Sequence, residues 1–218
     1  MKKLLTTLLL PIALAGFVVP AAQAQDAKAG EKKNAMCIGC HGIPGYQSSF
    51  PEIHKVPMIA GQGAKYIASA LTAYQKGERK HPTMRAIAAS LSEQDIADLA
   101  AFYELQGQGD AAPAPAAVPE PPAAVAALLA RGNCASCHGA NFNTPIDGSY
   151  PKLAGQHADY LYVALKEYQI RNNAQIGRSN AVMGGMAAPL SHKELKLLAN
   201  YIGSLPGTLK TVPEARFR

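Results

Sequence analysis

Twice along the chain, a Leu-Ser dipeptide opens a stretch in which apolar residues recur every three or four positions. In Leu91-Ser92-Glu93-Gln94-Asp95-Ile96, Ser92 and Asp95 have the spacing of a helix capping box, and Ile96, Leu99, Ala100 and Phe102 follow on one helical face. Leu190-Ser191-His192-Lys193-Glu194-Leu195 repeats the device with Ser191 and Glu194, and Leu195, Leu198, Ala199 and Tyr201 make its face. Matched amphipathic helices closing two halves predict a mainly α chain with little or no sheet.

The halves match elsewhere too. Pro57-Met58-Ile59-Ala60-Gly61-Gln62 corresponds to Pro151-Lys152-Leu153-Ala154-Gly155-Gln156, and Tyr74-Gln75 and Tyr168-Gln169 stand at the same distance from their prolines. A tandem duplication follows. Between the halves, Pro113, Pro115, Pro119, Pro121 and Pro122 lie among alanines, a composition that favours extended, semi-rigid chain. The predicted organisation is a first domain at 25–107, a Pro/Ala-rich linker at 108–122, a second domain at 123–210 and a tail at 211–218. Domains of roughly 80 residues bury too little apolar surface to be comfortably stable alone, so each calls for something more in its core.

Ahead of the first domain, Lys2-Lys3, an apolar run from Leu4 to Val19 and the Ala-x-Ala site Ala22-Gln23-Ala24 predict a signal peptide over 1–24, with the mature chain beginning at Gln25 and a periplasmic location. The run is short and broken by Pro11, which disfavours a retained anchor. Loss of Lys2 and Lys3 lowers the formal charge from +6 to +4. The basic residues are dispersed, with no run interleaved with aromatics, so nucleic acid is not an expected partner.

All four cysteines fall in two Cys-x-x-Cys-His boxes, Cys37-Ile38-Gly39-Cys40-His41 and Cys134-Ala135-Ser136-Cys137-His138. Thiols three residues apart share one face of a helical turn, where both can add to the vinyl groups of one porphyrin, and the following His lies under the ring as the proximal ligand. A zinc site would bring its two cysteine pairs within about 12 to 20 residues and leave each His without a role. A thioredoxin-like pair would want a preceding strand, and disulfides between distant segments would not use two identical boxes. Two covalent haem c groups are therefore expected, on Cys37 and Cys40 and on Cys134 and Cys137, with His41 and His138 on the irons.

The sixth iron position decides between carrying electrons and binding a substrate. Met84 and Met183 each stand seven residues before the Leu of a Leu-Ser pair, so the duplication pairs them as ligands. Met186, on the Gly184-Gly185 segment, is the rival to Met183, and the equivalence of the halves favours Met183. Met58 aligns with Lys152 and has no counterpart. His54, His81, His157 and His192 are not repeated at matching places and are expected at the surface or at edges; His81, three residues before Met84, is an alternative ligand under perturbed conditions.

The two boxes, the Pro-x-(Leu/Ile)-Ala-Gly-Gln segments, the methionines placed before Leu-Ser and the closing helix Asp95-Ile96-Ala97-Asp98-Leu99-Ala100-Ala101 resemble the dihaem cytochrome c4 family over nearly the whole mature chain. The resemblance implies two class I cytochrome c domains related by a pseudo-two-fold axis, haem edges facing each other, and His/Met ligation at both irons. It also implies that Pro57 and Pro151 offer backbone carbonyls to His41 and His138. The implied role is carriage of single electrons in a respiratory chain, from a quinol-oxidising complex or other donor to a terminal oxidase, with possible peripheral membrane association. Alternatives are the dihaem subunit of a dehydrogenase of the flavocytochrome sulfide dehydrogenase type, or a dihaem peroxidase or thiosulfate-oxidising enzyme. One departure stands out: the path from Tyr168 to Met183 has five more residues than that from Tyr74 to Met84, around 172–180. That insertion either decorates the surface or shapes a docking face.

Overall fold

The computed structural model describes residues 25–106 and 118–213; the expected signal peptide, the last residue of the expected first domain, residues 108–117 of the linker and the end of the tail lie outside them. The first half runs through α1 (Ala27–Lys33), α2 (Ala35–His41), β1 (Gln47–Ser48), β2 (His54–Lys55), α3 (Ala64–Gln75), β3 (Arg79–Lys80), α4 (Pro82–Ala89) and α5 (Glu93–Gln106). The second follows with α6 (Ala123–Arg131), α7 (Ala135–His138), α8 (Ala158–Glu167), β4 (Gly177–Arg178), α9 (Ala181–Ala187) and α10 (His192–Ser204). The expectation of a mainly α chain holds, and the sheet amounts to two ribbons of two-residue strands.

Both capping boxes form. Asp95 N donates to Ser92 Oγ at 3.1 Å and Ser92 N to Asp95 Oδ2 at 3.0 Å, while Ser191 and Glu194 make the reciprocal pair that opens α10. Ile96, Leu99 and Ala100, and Leu195, Leu198 and Ala199, are buried as expected. Phe102 and Tyr201 are only half-buried. The deep positions belong instead to Tyr103 and Ile202, four residues beyond Leu99 and Leu198 and hence in line with them on the helix. Tyr201 reaches outward, its hydroxyl donating to Pro119 O at 2.8 Å, which ties the end of the linker to α10.

In the first half α1 crosses α5 at Gly30, where a Cβ would lie 2.1 Å from Asp98 O, so only glycine fits. Asp98 is 2% exposed. It accepts from Lys33 Nζ at 2.8 Å, Asp26 N at 3.0 Å and Gln94 Nε2 at 2.6 Å, locking the two helices together. The hydrogen bond from Lys33 is the main cause of its carboxyl lying below the usual range. Asp98→Asn should cost about 2 kcal/mol, the worth of a hydrogen bond to a buried charge, read as a lower melting temperature of the holoprotein. A depressed folded pKa gives stability that is present above the ordinary carboxylate value of about 3.9 and lost as pH falls through the folded value. The gap between wild type and variant should therefore close in acid.

The two halves meet through repeated residues. Gln62 Nε2 donates to Lys152 O at 3.0 Å and its Oε1 accepts from Lys152 N at 2.9 Å. Gln156 does the same to Met58, with Nε2 donating to the carbonyl at 2.9 Å and Oε1 accepting from the amide at 3.0 Å. Equivalent glutamines grasping equivalent backbones is the contact a pseudo-two-fold axis demands. Ion pairs flank it, Lys55 with Asp159 at 3.2 Å and Lys166 with Glu52 at 2.8 Å. The longer segment between Tyr168 and Met183 leads into β4, the counterpart of β3, and the two strands pair antiparallel across the halves, Arg79 opposite Arg178 and Lys80 opposite Gly177. Ser179 N donates to Glu78 O at 2.7 Å and Lys80 Nζ to Asn173 O. The extra residues are thus part of the domain junction.

Candidate haem-binding sites

α2 presents Cys37 and Cys40 one turn apart with His41 at its end, and α7 does the same for Cys134, Cys137 and His138 within a single turn. Chain direction changes directly after His138 because Gly139 takes φ +77°, where an added Cβ would lie 2.0 Å from Thr144 O. All four cysteines are half-buried, and none is in a disulfide. Before haem is attached, burial pushes the Cys37 and Cys134 thiols up.

His41 Nδ1 lies 2.8 Å from Pro57 O and His138 Nδ1 lies 3.2 Å from Pro151 O. A carbonyl only accepts, so the proton is on Nδ1 in both rings and the Nε2 lone pair is left available to a metal. Burial is the main cause of both imidazoles lying below their ordinary value, and at His41 the charge of Arg79 acts in the same direction. These are the backbone partners that the resemblance implied for Pro57 and Pro151.

Met84 and Met183 sit in the first turns of α4 and α9 in matching settings. The residue three positions before each caps its backbone amide: Met84 N donates to His81 Nδ1 at 3.5 Å, and Met183 N to Asn180 Oδ1 at 2.9 Å. At the far end of each helix a repeated glutamine clamps two carbonyls. Gln75 Nε2 donates to Ala88 O and Leu91 O, both at 2.8 Å, and Gln169 Nε2 to Ala187 O and Leu190 O, both at 2.7 Å. Met183 is half-buried, as Met84 is, whereas Met186 is 42% exposed.

The remaining histidines are in varied settings. Neither ring nitrogen of His81 is idle, since Nε2 lies 3.2 Å from Phe50 O while Nδ1 caps α4. His54 departs from the expected surface placing: it is 5% exposed, its Nδ1 donating to Glu52 O at 2.8 Å and its ring set against Tyr160 of the other half. The junction encloses it, which no local pattern could show. His157 precedes α8, and His192 meets the Tyr162 ring edge-on. Among the described residues no cluster of three or more His, Cys, Asp or Glu side chains could hold a metal ion.

Thiols on one helical turn and an imidazole with a free Nε2 are the donor set that a haem c requires, and the chain builds it twice. Fold and sites together define a two-domain c-type cytochrome. The cytochrome c family model matches residues 27–104 and again 122–206. Cytochrome c4 of Pseudomonas aeruginosa is 33% identical over 94% of this chain and all of that protein. A thiosulfate dehydrogenase electron acceptor of Stutzerimonas stutzeri is 33% identical over 78% of each chain. Reduced cytochrome c4 from Pseudomonas stutzeri superposes with a TM-score of 0.61 at 32% identity, covering 84% of this chain and all of that one. The chain belongs to the cytochrome c4 family. It carries two covalent haem c groups, on Cys37 and Cys40 and on Cys134 and Cys137.

The residues that sequence reasoning passed over are those that hold the methionine segments. Gln75 and Gln169 were visible as repeated letters, but their grip on carbonyls 13 to 21 residues away emerges only from the fold.

Proposed function

We propose that the chain is a periplasmic carrier of single electrons in a respiratory chain, with His41 and Met84 as the axial ligands of the first iron and His138 and Met183 as those of the second. The observation that carries this is the identical mounting of the two methionines: an amide cap three residues before and a glutamine clamp at the helix end, in both halves. The haems supply one-electron exchange between Fe(II) and Fe(III). The residues contribute orientation and bias. Pro57 O and Pro151 O fix the tautomer and plane of the imidazoles, and a methionine sulfur favours the reduced iron, raising the potential as suits delivery to a terminal oxidase. The electron is drawn from a quinol-oxidising complex or another donor, and partners meet the protein in brief, small contacts, with peripheral attachment to the membrane compatible with this traffic. Among the described residues no helix is long and apolar enough to cross a membrane.

A second reading has the chain accept electrons from a sulfur-compound dehydrogenase, on the strength of the relative of that name. Visible and near-infrared spectra of the holoprotein, with haem counted per chain, test the carrier role. The expected result is two low-spin haems with the methionine-to-iron charge-transfer band and no change when carbon monoxide is added to the reduced form. A carbon monoxide complex at either haem would mean an accessible iron and an enzyme. Stopped-flow reduction by a thiosulfate dehydrogenase, set against reoxidation by a terminal oxidase, separates the two readings of the partner.

A further inference from the structure

At the junction of the halves lies a charged cluster that haem attachment does not explain. Arg79 and Arg178 face each other as register partners of the β3–β4 ribbon. Both are walled by tyrosines: Arg79 donates to Tyr160 Oη at 2.8 Å and Tyr66 Oη at 3.3 Å and lies over the Tyr74 ring, while Arg178 donates to Tyr160 Oη at 3.3 Å and lies over the Tyr168 ring. They also hold equivalent places in the duplication, each five residues before its methionine. Yet their partners differ. Arg178 Nε donates to Glu167 Oε2 at 2.6 Å in a pair with both side chains under 10% exposed, at 8% and 6%. Arg79 has no carboxylate among the described residues, and its Nε is buried without a hydrogen-bond partner. The cause is one difference between the repeats: the residue before the repeated Tyr-Gln pair is Glu167 in the second half and Ala73 in the first.

Two guanidiniums and one carboxylate leave an excess of one positive charge at the junction, carried by the half-buried Arg79 with its enclosed Nε. A buried charge without a counter-ion is costly enough that such groups are found paired. Burial pushes the Tyr74 phenol up to about 12, so that ring stays neutral. Burial acts the same way on Tyr160, where the two guanidiniums outweigh it. Each haem brings carboxylates of its own, its propionates, and the Arg79 charge already reaches His41 of the first box.

Resting on the two-haem reading, we propose that Arg79 holds a propionate of the first haem at the domain junction, while Glu167 takes that place on Arg178, so that the Ala73/Glu167 difference gives the two haems unequal charge surroundings. A positive charge near a haem stabilises the reduced iron and a negative one the oxidised iron. Arg79 thus raises the first potential, and Glu167 lowers the second.

The test is a spectroelectrochemical titration of the holoprotein and its variants, with each haem assigned from the NMR signals of its ligands. Arg79→Gln should lower the potential of the first haem so that the partition of a single electron between the haems shifts about tenfold, equivalent to about 59 mV. Glu167→Gln should raise the potential of the second haem by a similar factor. Arg79→Lys, which keeps the charge and loses the planar fork, should fall between wild type and Arg79→Gln, and it serves as the readable variant if the glutamine protein does not fold. Opposite shifts on different haems are not what general loosening of the junction would give. Unchanged partition, or both variants moving the same haem in the same direction, would overturn the proposal. So would Tyr160→Phe raising both potentials, since Tyr160 would then be a tyrosinate supplying the counter-charge itself. The carrier reading fails separately: a wild-type protein with two haems but no methionine charge-transfer band would refute Met84 and Met183 while leaving these shifts measurable.

Discussion

Cys37→Ser with Cys40→Ser is expected to give a chain with one haem and an unfolded first domain, losing about half of the helical far-ultraviolet signal, because attachment and folding are one process when the cofactor completes the core. The apolar cluster of that half is small: Ala64, Ile67, Leu99, Ala100 and Tyr103, two of which are alanines. A domain of this length buries only about 60% of the surface its unfolded chain exposes, and Ile59 and Leu71, packed at the edge of the cluster, add little to it. The second half is better provided. Phe142, Ala154, Leu161, Ala199, Ile202 and Leu205 form one cluster and Val125, Leu128, Leu190, Leu195 and Leu198 a second, wholly of large side chains. The equivalent pair Cys134→Ser with Cys137→Ser should therefore retain more helix and more protection from protease than the first-box variant. Circular dichroism and limited proteolysis, with haem counted per chain, check both. Full helicity in the first-box variant would mean that the apolar residues suffice and that the haem is a passenger. The surviving second domain should also melt at lower temperature, since it loses the Gln62–Lys152 and Gln156–Met58 contacts and the Lys166–Glu52 pair.

What could be read before the fold was known divides by distance along the chain. Ser92 with Asp95, Ser191 with Glu194 and the two boxes are local arrangements whose chemistry acts within one helical turn, so their spacing carries their meaning. The duplication was legible for the same reason. The junction was not. Gln62 and Gln156 were visible as repeated residues, but that each grasps the opposite repeat follows from an axis between the halves, and nothing local to Gly61-Gln62 records that axis. Two-residue strands are too short for the alternation that marks a strand, so β3 and β4 left no trace. The equivalence of Arg79 and Arg178 was hidden by the insertion between Tyr168 and Met183. It appears when positions are counted back from the methionines, which places the five extra residues ahead of β4, in the stretch where Asn173 O accepts from Lys80 Nζ of the other half.

Met183→Ala should remove the methionine charge-transfer band from one haem, open that iron to carbon monoxide and lower its potential on the order of 0.2 V, a modest part of the roughly 0.8 V that axial ligands span. Met84→Ala should do the same at the other haem, and Met186→Leu should change none of these. The discrimination rests on how the segment is held. Asn180 caps the Met183 amide and Gln169 clamps the end of α9, which fixes the first turn, where Met183 lies. Met186 lies almost one turn further on, about 300° around the axis at 3.6 residues per turn, so its side chain leaves the helix from a different face. Were Met186 the ligand, Met183→Ala would keep the band and Met186→Leu would lose it, and α9 would have to rotate against both of its restraints. Asn180→Ala separates positioning from ligation. Without the cap the first turn of α9 is freer, so the band should persist but weaken on mild warming, whereas a ligand loss is complete at every temperature. The corresponding cap in the first half is His81, whose Nδ1 accepts from the Met84 amide only while unprotonated. Burial holds this imidazole below its ordinary value, so both methionine segments should be capped at neutral pH, the second by the shorter bond.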